Sequence, residues 1–441
     1  VPLRALLCEI TGLKPEAKYF LVRFIQCFGV TDPVDLGVKD LAKQIGVTDR
    51  QVSTALDALV DAAILIRSLI PNERGRPARR HRVAKTFLSQ LNRLPVPLGV
   101  MHEVVIERLM VHAGHVADQG EERGESLAEL RARRKRGVLN RVNRLLLAVL
   151  LCGADRFGVV RNLGTVQICK ATGLTKEMLR NRLKTLMDQA LIRSYIPGLS
   201  SPVLTVKRKS VYYLNLNHEQ MVGNGRATSI LGISGAGKDH LGLDLLLGIR
   251  SAVNRDKNEY AEKAPILKVL AGQGRSFYRT FQALLEEYAT QLLSRHWMNL
   301  KDRVDDLQLR QQILKDFRLP ADLQGSDDID AGDIRTRFND QLFNFAYDMA
   351  LWFKSLLSSA SDVPLSDLEF VIVPQPATPG HLYRAFLALP KADQCWSGYL
   401  MIDTRGAKAS IRSFVGEQEM PQEELYVYGL RSRPDIGEVN K

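Results

Sequence analysis

The stretch Gly232-Ile233-Ser234-Gly235-Ala236-Gly237-Lys238-Asp239 sets a glycine, four residues, then a glycine and a lysine. That spacing suits phosphate. Glycines let peptide N–H groups turn around an anion, and Lys238 would neutralise its charge. Where a hydroxyl normally meets Mg²⁺, this chain has Asp239. Asp403, after the strand expected over 398–402, is a candidate distant acidic partner for such a metal. The whole stretch 223–248 is rich in glycine, so a flexible connection explains the same residues without a ligand. Gly232, Gly237 and Lys238 are therefore the candidate cofactor-binding residues, with ATP or another nucleotide as the alternative to no cofactor. Other chemistry is sparse. His112 and His115 stand three apart, too few for a metal site. Asp327, Asp328, Asp330 and Asp333 fit no Ca²⁺ loop. The five cysteines form no CxxC pair, and Cys27 and Cys152, which lie in apolar helical stretches, read as buried free thiols. No catalytic residues and no resident metal are assigned.

Basic residues are the more informative group. Residues 1–218 hold 35 of the 61 Lys+Arg but only 19 of the 49 Asp+Glu, a net of +16 against −4 for the remainder. Such asymmetry marks a front half that meets a polyanion. The element that positions these charges occurs twice. LAKQIGVTDRQVSTALDALVDAAILIRSLIP, 41–71, returns as VQICKATGLTKEMLRNRLKTLMDQALIRSYIP, 166–197. Gly46 and Thr48 match Gly173 and Thr175 at an offset of 127, and Ile66-Arg67-Ser68 matches Ile192-Arg193-Ser194 at 126.

Each copy predicts a short helix (38–45; 166–172) closed by glycine, which accepts a left-handed turn. Thr48 or Thr175 then caps a second helix. Val52, Leu56 and Leu59, matched by Leu179, Leu183 and Leu186, give that helix one buried stripe. Its outer face carries Asp49, Arg50, Gln51, Ser53 and Thr54 in the first copy. In the second it carries Lys176, Glu177, Arg180, Asn181 and Lys184. A strand follows (64–70; 192–196), then a basic hairpin. The first hairpin holds Arg74, Arg76, Arg79, Arg80 and Arg82. The second holds Lys207-Arg208-Lys209 between expected strands 203–206 and 211–216.

Helix, turn, helix and basic hairpin resemble the bacterial winged helix-turn-helix DNA-binding proteins, in two tandem modules over 13–91 and 138–218. Arg74-Gly75-Arg76-Pro77 also resembles the core of an AT-hook, which lays arginines along a narrow minor groove. The resemblance implies double-stranded DNA as partner. Arg50, Gln51, Thr54, Lys176, Arg180, Asn181 and Lys184 would lie toward base edges. Arg74, Arg76, Arg79, Arg80, Lys207, Arg208 and Lys209 would touch phosphates.

The expected fold is multidomain α+β: two tandem winged-helix domains (1–91 and 138–218), a helical linker (92–137), and a mostly helical α/β C-terminal domain (219–441). The linker is expected to hold a helix over 101–115. Seven basic residues within 128–144, Arg141 and Arg144 among them, suit phosphate contact. Beyond 218, helices are expected at 276–296, 300–317, 334–357 and 382–389, and strands at 228–233, 368–373, 398–402 and 424–428. Without a secretory signal or a bilayer-spanning run, a reducing cytoplasm is the expected home. Three functions fit: a sequence-specific transcriptional regulator whose C-terminal domain oligomerises, senses a ligand or recruits a partner; a plasmid-type replication initiator; and a P-loop-like nucleotide enzyme tethered to DNA. The GAGKD ending resembles some P-loop nucleotide kinases.

Overall fold

Glycine and threonine set the ends of the repeated helices in the computed structural model, which describes residues 2–70, 78–111, 139–222, 228–236, 249, 251, 269–318, 331–359, 363–374, 381–392, 398–406 and 408–432. The chain divides into two units, one of residues 1–191 with 218–224 and the other of 192–217 with 225–441. The helices of the second repeat thus belong to the first unit, and its hairpin to the second.

In the first unit, α1 (Pro2–Leu7) precedes α2 (Pro15–Phe28), which starts on a proline whose missing N–H costs nothing there. Next come α3 (Val38–Ile45), α4 (Asp49–Asp61), the antiparallel hairpin β1 (Leu65–Ile70) and β2 (Ala78–Val83), and α5 (Lys85–Arg93). A 3-10 turn (Leu98–His102) leads into α6 (Glu103–Met110). The described part of the linker expected over 92–137 is largely helical, and its helix, expected over 101–115, ends at Met110. The second repeat follows: α7 (Arg141–Cys152), the short β3 (Val159–Val160), α8 (Thr165–Thr172) and α9 (Lys176–Asp188).

Helix α7 is buried on every face from Val142 to Cys152, as expected of the central helix of a unit. It packs against α1, α2, α6 and α8. At Gly99 a Cβ would stand 1.9 Å from the Leu151 carbonyl oxygen, so only glycine lets the 3-10 turn approach α7.

Arg144 and Lys18 are among the buried cations of this unit. The Arg144 side chain donates to the carbonyls of Leu139 and Val111, each at 2.9 Å. It is a buried structural group rather than the phosphate contact its sequence neighbourhood suggests. Lys18 is 1% exposed and donates to the Cys8 carbonyl at 2.6 Å, with no carboxylate bonded to it among the described residues. Burial lowers its pKa from 10.5 to about 8. Between those values the unfolded chain holds a proton that the folded chain has lost. Stability should therefore rise with pH across that window. Denaturant unfolding between pH 7 and 10.5 should show this rise in the native chain and not in Lys18→Met; equal slopes would count against an uncompensated ammonium.

The second unit contains the antiparallel hairpin β4 (Ile192–Ile196) and β5 (Val211–Leu214). Residues 203–206, expected as a strand, form a turn with one bridge from Leu204 to Phe317. A five-stranded mixed sheet has the order β10-β9-β6-β8-β7. Its strands are β6 (Ser229–Ala236), β7 (Leu368–Val373), β8 (His381–Pro390), β9 (Tyr399–Asp403) and β10 (Ser410–Phe414). Strands β6 and β9 run parallel; the other pairs are antiparallel. Helices α10 (Arg275–His296), α11 (Leu307–Asp316) and α12 (Ala331–Leu357) share one apolar core with β7, through Phe281, Tyr288, Phe353 and Phe370. The chain's last described helix is α13 (Gln422–Val427).

Three further elements differ from expectation. Residues 382–389 form strand β8, because pairing on both edges buries an apolar run that looks helical in isolation. Residues 424–428 fall in helix α13 and its C-cap. The helix expected over 300–317 is a 3-10 turn and then α11, separated by Arg303 at φ 51° and capped by Asp306, whose carboxylate accepts the Leu309 N–H at 2.9 Å.

Candidate nucleic-acid interface

The first repeated turn forms as its sequence dictates. Helix α3 ends at Gly46, left-handed at φ 79°. The Thr48 hydroxyl accepts the Gln51 N–H at 3.4 Å, and the Gln51 side-chain oxygen accepts the Thr48 N–H at 3.1 Å. Val52, Leu56 and Leu59 are buried, so the opposite face of α4 is turned outward with Asp49, Arg50, Ser53 and Thr54 exposed. Gln51 departs from the expected role. Its oxygen also accepts Arg141 Nη1 at 2.7 Å, while Arg141 Nη2 donates to the Gly46 carbonyl at 2.8 Å. Gln51 is committed to the cap and to Arg141 rather than held out toward a base. The Thr54 hydroxyl donates back to the Arg50 carbonyl at 2.9 Å, leaving the guanidinium of Arg50 as the main outward cation of α4.

The second turn closes at Gly173, φ 76°. The Thr175 hydroxyl accepts the Met178 N–H at 3.2 Å and starts α9. Leu179 and Leu186 are buried and Leu183 half-buried. Lys176, Glu177, Arg180, Asn181 and Lys184 are all exposed on α9. No carboxylate is bonded to Lys176 or Arg180 among the described residues. The two outer faces therefore differ in sign. At the repeat offset Asp49 answers to Lys176, Ser53 to Arg180 and Asp57 to Lys184, and Asp57 is itself ion-paired with Arg67. The face of α9 is the more basic.

The hairpins are less uniform than their sequences suggest. In β2, Arg79 is exposed. Arg80 instead clasps Asp35 with two N–H groups, Nη2 to Oδ2 at 2.6 Å, and its hydrogen bonds hold that carboxyl below the usual range. Much of the charge of Arg80 is answered within the protein. Arg74 and Arg76 lie outside the described residues, as do His112, His115 and the basic run 131–136. In the second unit Lys207 and Lys209 are exposed. Arg208 is half-buried and ion-paired with Asp316 at 2.6 Å, so it serves the fold rather than a phosphate.

The glycine-lysine stretch is also redrawn. Gly232 is not in a turn. It lies in mid-strand, paired with Ala385 of β8 and Met401 of β9, and the ladder continues to Ala236. A Cβ at Gly232 would stand 2.1 Å from the Met401 sulfur, so packing explains this glycine. Backbone groups paired on both edges cannot also wrap a phosphate. Gly237 and Lys238 lie outside the described residues. Asp403 does sit beside Ser234 in the parallel pair, but its carboxylate accepts the Arg405 side chain and backbone N–H. Those bonds hold its pKa far below the usual range.

Arg141, read from the sequence as a phosphate contact, is instead bonded to Gly46 and Gln51, about 90 residues back along the chain. Sequence reasoning missed a buried node in the second unit. There Arg193, fully enclosed, meets Glu417 at 2.5 Å and Asn215 at 2.5 Å, and Tyr399 donates to Glu417 at 3.0 Å. The only available signal was that Arg193 repeats Arg67. Among the described residues no group of three His, Cys, Asp or Glu side chains is placed to hold a metal ion, and no helix is long and apolar enough to cross a membrane. Comparison with models of known protein families and with curated proteins finds no match.

Proposed function

We propose that the chain is a sequence-specific double-stranded DNA-binding protein of the bacterial transcriptional-regulator kind, built on two winged helix-turn-helix modules, with α9 as its principal reader. The observation that carries this reading is the outer face of α9. Lys176, Arg180, Asn181 and Lys184 are exposed on one capped helix, and the guanidinium of Arg180 is bonded to no carboxylate among the described residues. Guanidinium and amide groups on an exposed helix match the donor and acceptor pattern of a major groove. The net charge of +16 over residues 1–218 supplies the attraction to phosphate. Arg50 reads from α4, while Arg79 and Lys207 meet the backbone. The C-terminal unit would oligomerise, sense a ligand or recruit a partner.

A plasmid-type replication initiator would use the same tandem reader, and its target, repeated iterons rather than one operator, separates the two. The nucleotide-enzyme reading gains nothing from Gly232, whose place in a paired strand opposes it.

The test is selection of bound fragments from randomised duplex DNA with the full chain. Against the recovered site, Arg180→Ala should cost about 1–3 kcal/mol and relax the preference at one or two base pairs. Arg79→Ala should weaken all sequences alike and flatten the salt dependence. Unchanged affinity and preference in Arg180→Ala would remove α9 from the reading role.

A further inference from the structure

The two repeats meet in a reciprocal way. Pro15 and Arg141 are the first residues of α2 and α7, the helices that open the two copies, and Gly46 corresponds to Gly173 in the repeat. Arg141, first residue of α7, donates to the Gly46 carbonyl at the turn of the first repeat. The chain entering α2 does the converse. A Cβ on Gly173 would stand 2.2 Å from the Leu13 carbonyl oxygen and 3.1 Å from the Pro15 nitrogen. So the start of each first helix lies on the other copy's turn, and α2 packs directly on α7. Residue i of one copy meets j of the other while j meets i, the signature of a two-fold interface. All these residues belong to one unit.

From this pairing we infer that one chain reads a bipartite site whose two halves run in opposite directions along the duplex and differ in sequence. The inference rests on the DNA-reading proposal above. A two-fold relation between copies sets α4 and α9 with opposed polarity about the axis. Two helices so placed on one duplex read their bases in opposite directions, as the halves of a symmetric dimer do. The side chains are not symmetric, however. Lys176, Glu177, Met178, Arg180 and Asn181 stand where the first copy has Asp49, Arg50, Gln51, Ser53 and Thr54. The bases that suit one set do not suit the other. Gln51 is moreover held by Arg141, whereas its counterpart Met178 is exposed. The target is therefore head-to-head in geometry without being a palindrome in sequence, and the half under α9 is the more stringent.

The experiment takes the recovered motif and four duplexes: the motif as found, the motif with either half reversed in place, and a palindrome of two α9 halves. Full-length protein is titrated against each at fixed salt, with stoichiometry measured. One chain per duplex is expected. Reversal of either half should weaken binding at least about tenfold, since several base pairs are then mismatched. The palindrome should bind a single chain more weakly than the found motif. Arg180→Ala should erase preference in one half only, and Arg50→Ala in the other. Equal or tighter binding to a reversed-half duplex, or a single chain that prefers the palindrome, would overturn the inference and leave the DNA-reading proposal standing. Recovery of no motif, with salt-sensitive binding to every duplex, would remove both.

Discussion

Glu417→Ala is expected to destabilise the second unit by about 3–5 kcal/mol, the cost of breaking a buried ion pair from one side. Arg193 has no exposed side-chain surface, and Glu417 has 12%. The guanidinium also donates to Asn215 and to the Leu430 carbonyl at 3.2 Å, and the Asn215 amide donates to Glu417 at 3.3 Å. Losing the carboxylate strands a cation where water cannot reach it and leaves Asn215 and Tyr399 without their acceptor. The damage comes from that stranded charge, not from any large net worth of the pair. The double replacement Arg193→Met with Glu417→Leu should therefore recover most of the loss. Denaturant midpoints of the wild type, the single variant and the double variant decide it. A single-variant loss below about 1 kcal/mol would place the pair in the class of surface ion pairs.

Gly173→Ala should cost about 2–5 kcal/mol in the first unit. A φ of 76° alone costs an L-residue about 1–2 kcal/mol. The added methyl must also displace the backbone at Leu13 and Pro15, and forced shifts in a packed interior cost about 1–3 kcal/mol. Gly12 is the control. It has φ 81° with nothing within 4 Å of a Cβ, so Gly12→Ala should show only the strain. Thermal unfolding of the two variants side by side measures the excess at Gly173. If the two losses agree, the close contact between the copies is not as tight as described.

Much of the local architecture was legible because it is written locally. Proline at the start of α2, glycine after α3 and α8, and threonine before α4 and α9 are signals that act within a few residues. Strand β7 was readable from Val371-Ile372-Val373, and strand β4 from the repeat of Ile66-Arg67-Ser68. Strand β8 was not, since pairing on both edges is what makes its apolar run a strand, and a short apolar run carries no period that tells strand from helix. The candidate site divides in the same way. That Arg180 and Lys176 face outward follows from the stripe of Leu179 and Leu186 on the other side of the same helix. That Gln51, Arg80, Arg144 and Arg208 are occupied does not follow, because their partners lie elsewhere in the chain: Arg141, Asp35, Val111 and Asp316. A sequence shows which side chains carry charge, and only the fold shows which charges are already answered.

The hairpin of the second repeat has a consequence for dissecting the gene. The repeat suggests a cut after residue 218, giving a front fragment with both copies complete. Such a fragment would retain Arg193 and Asn215 but lose Glu417, Tyr399 and the Leu430 carbonyl. Its hairpin would present a cation built for an enclosure that the truncation has removed. Deletion mapping across that boundary would then score as a lost function of the hairpin what is in fact loss of a counter-ion more than two hundred residues away. The hairpin of the first repeat lies in the same unit as its helices, and that of the second does not.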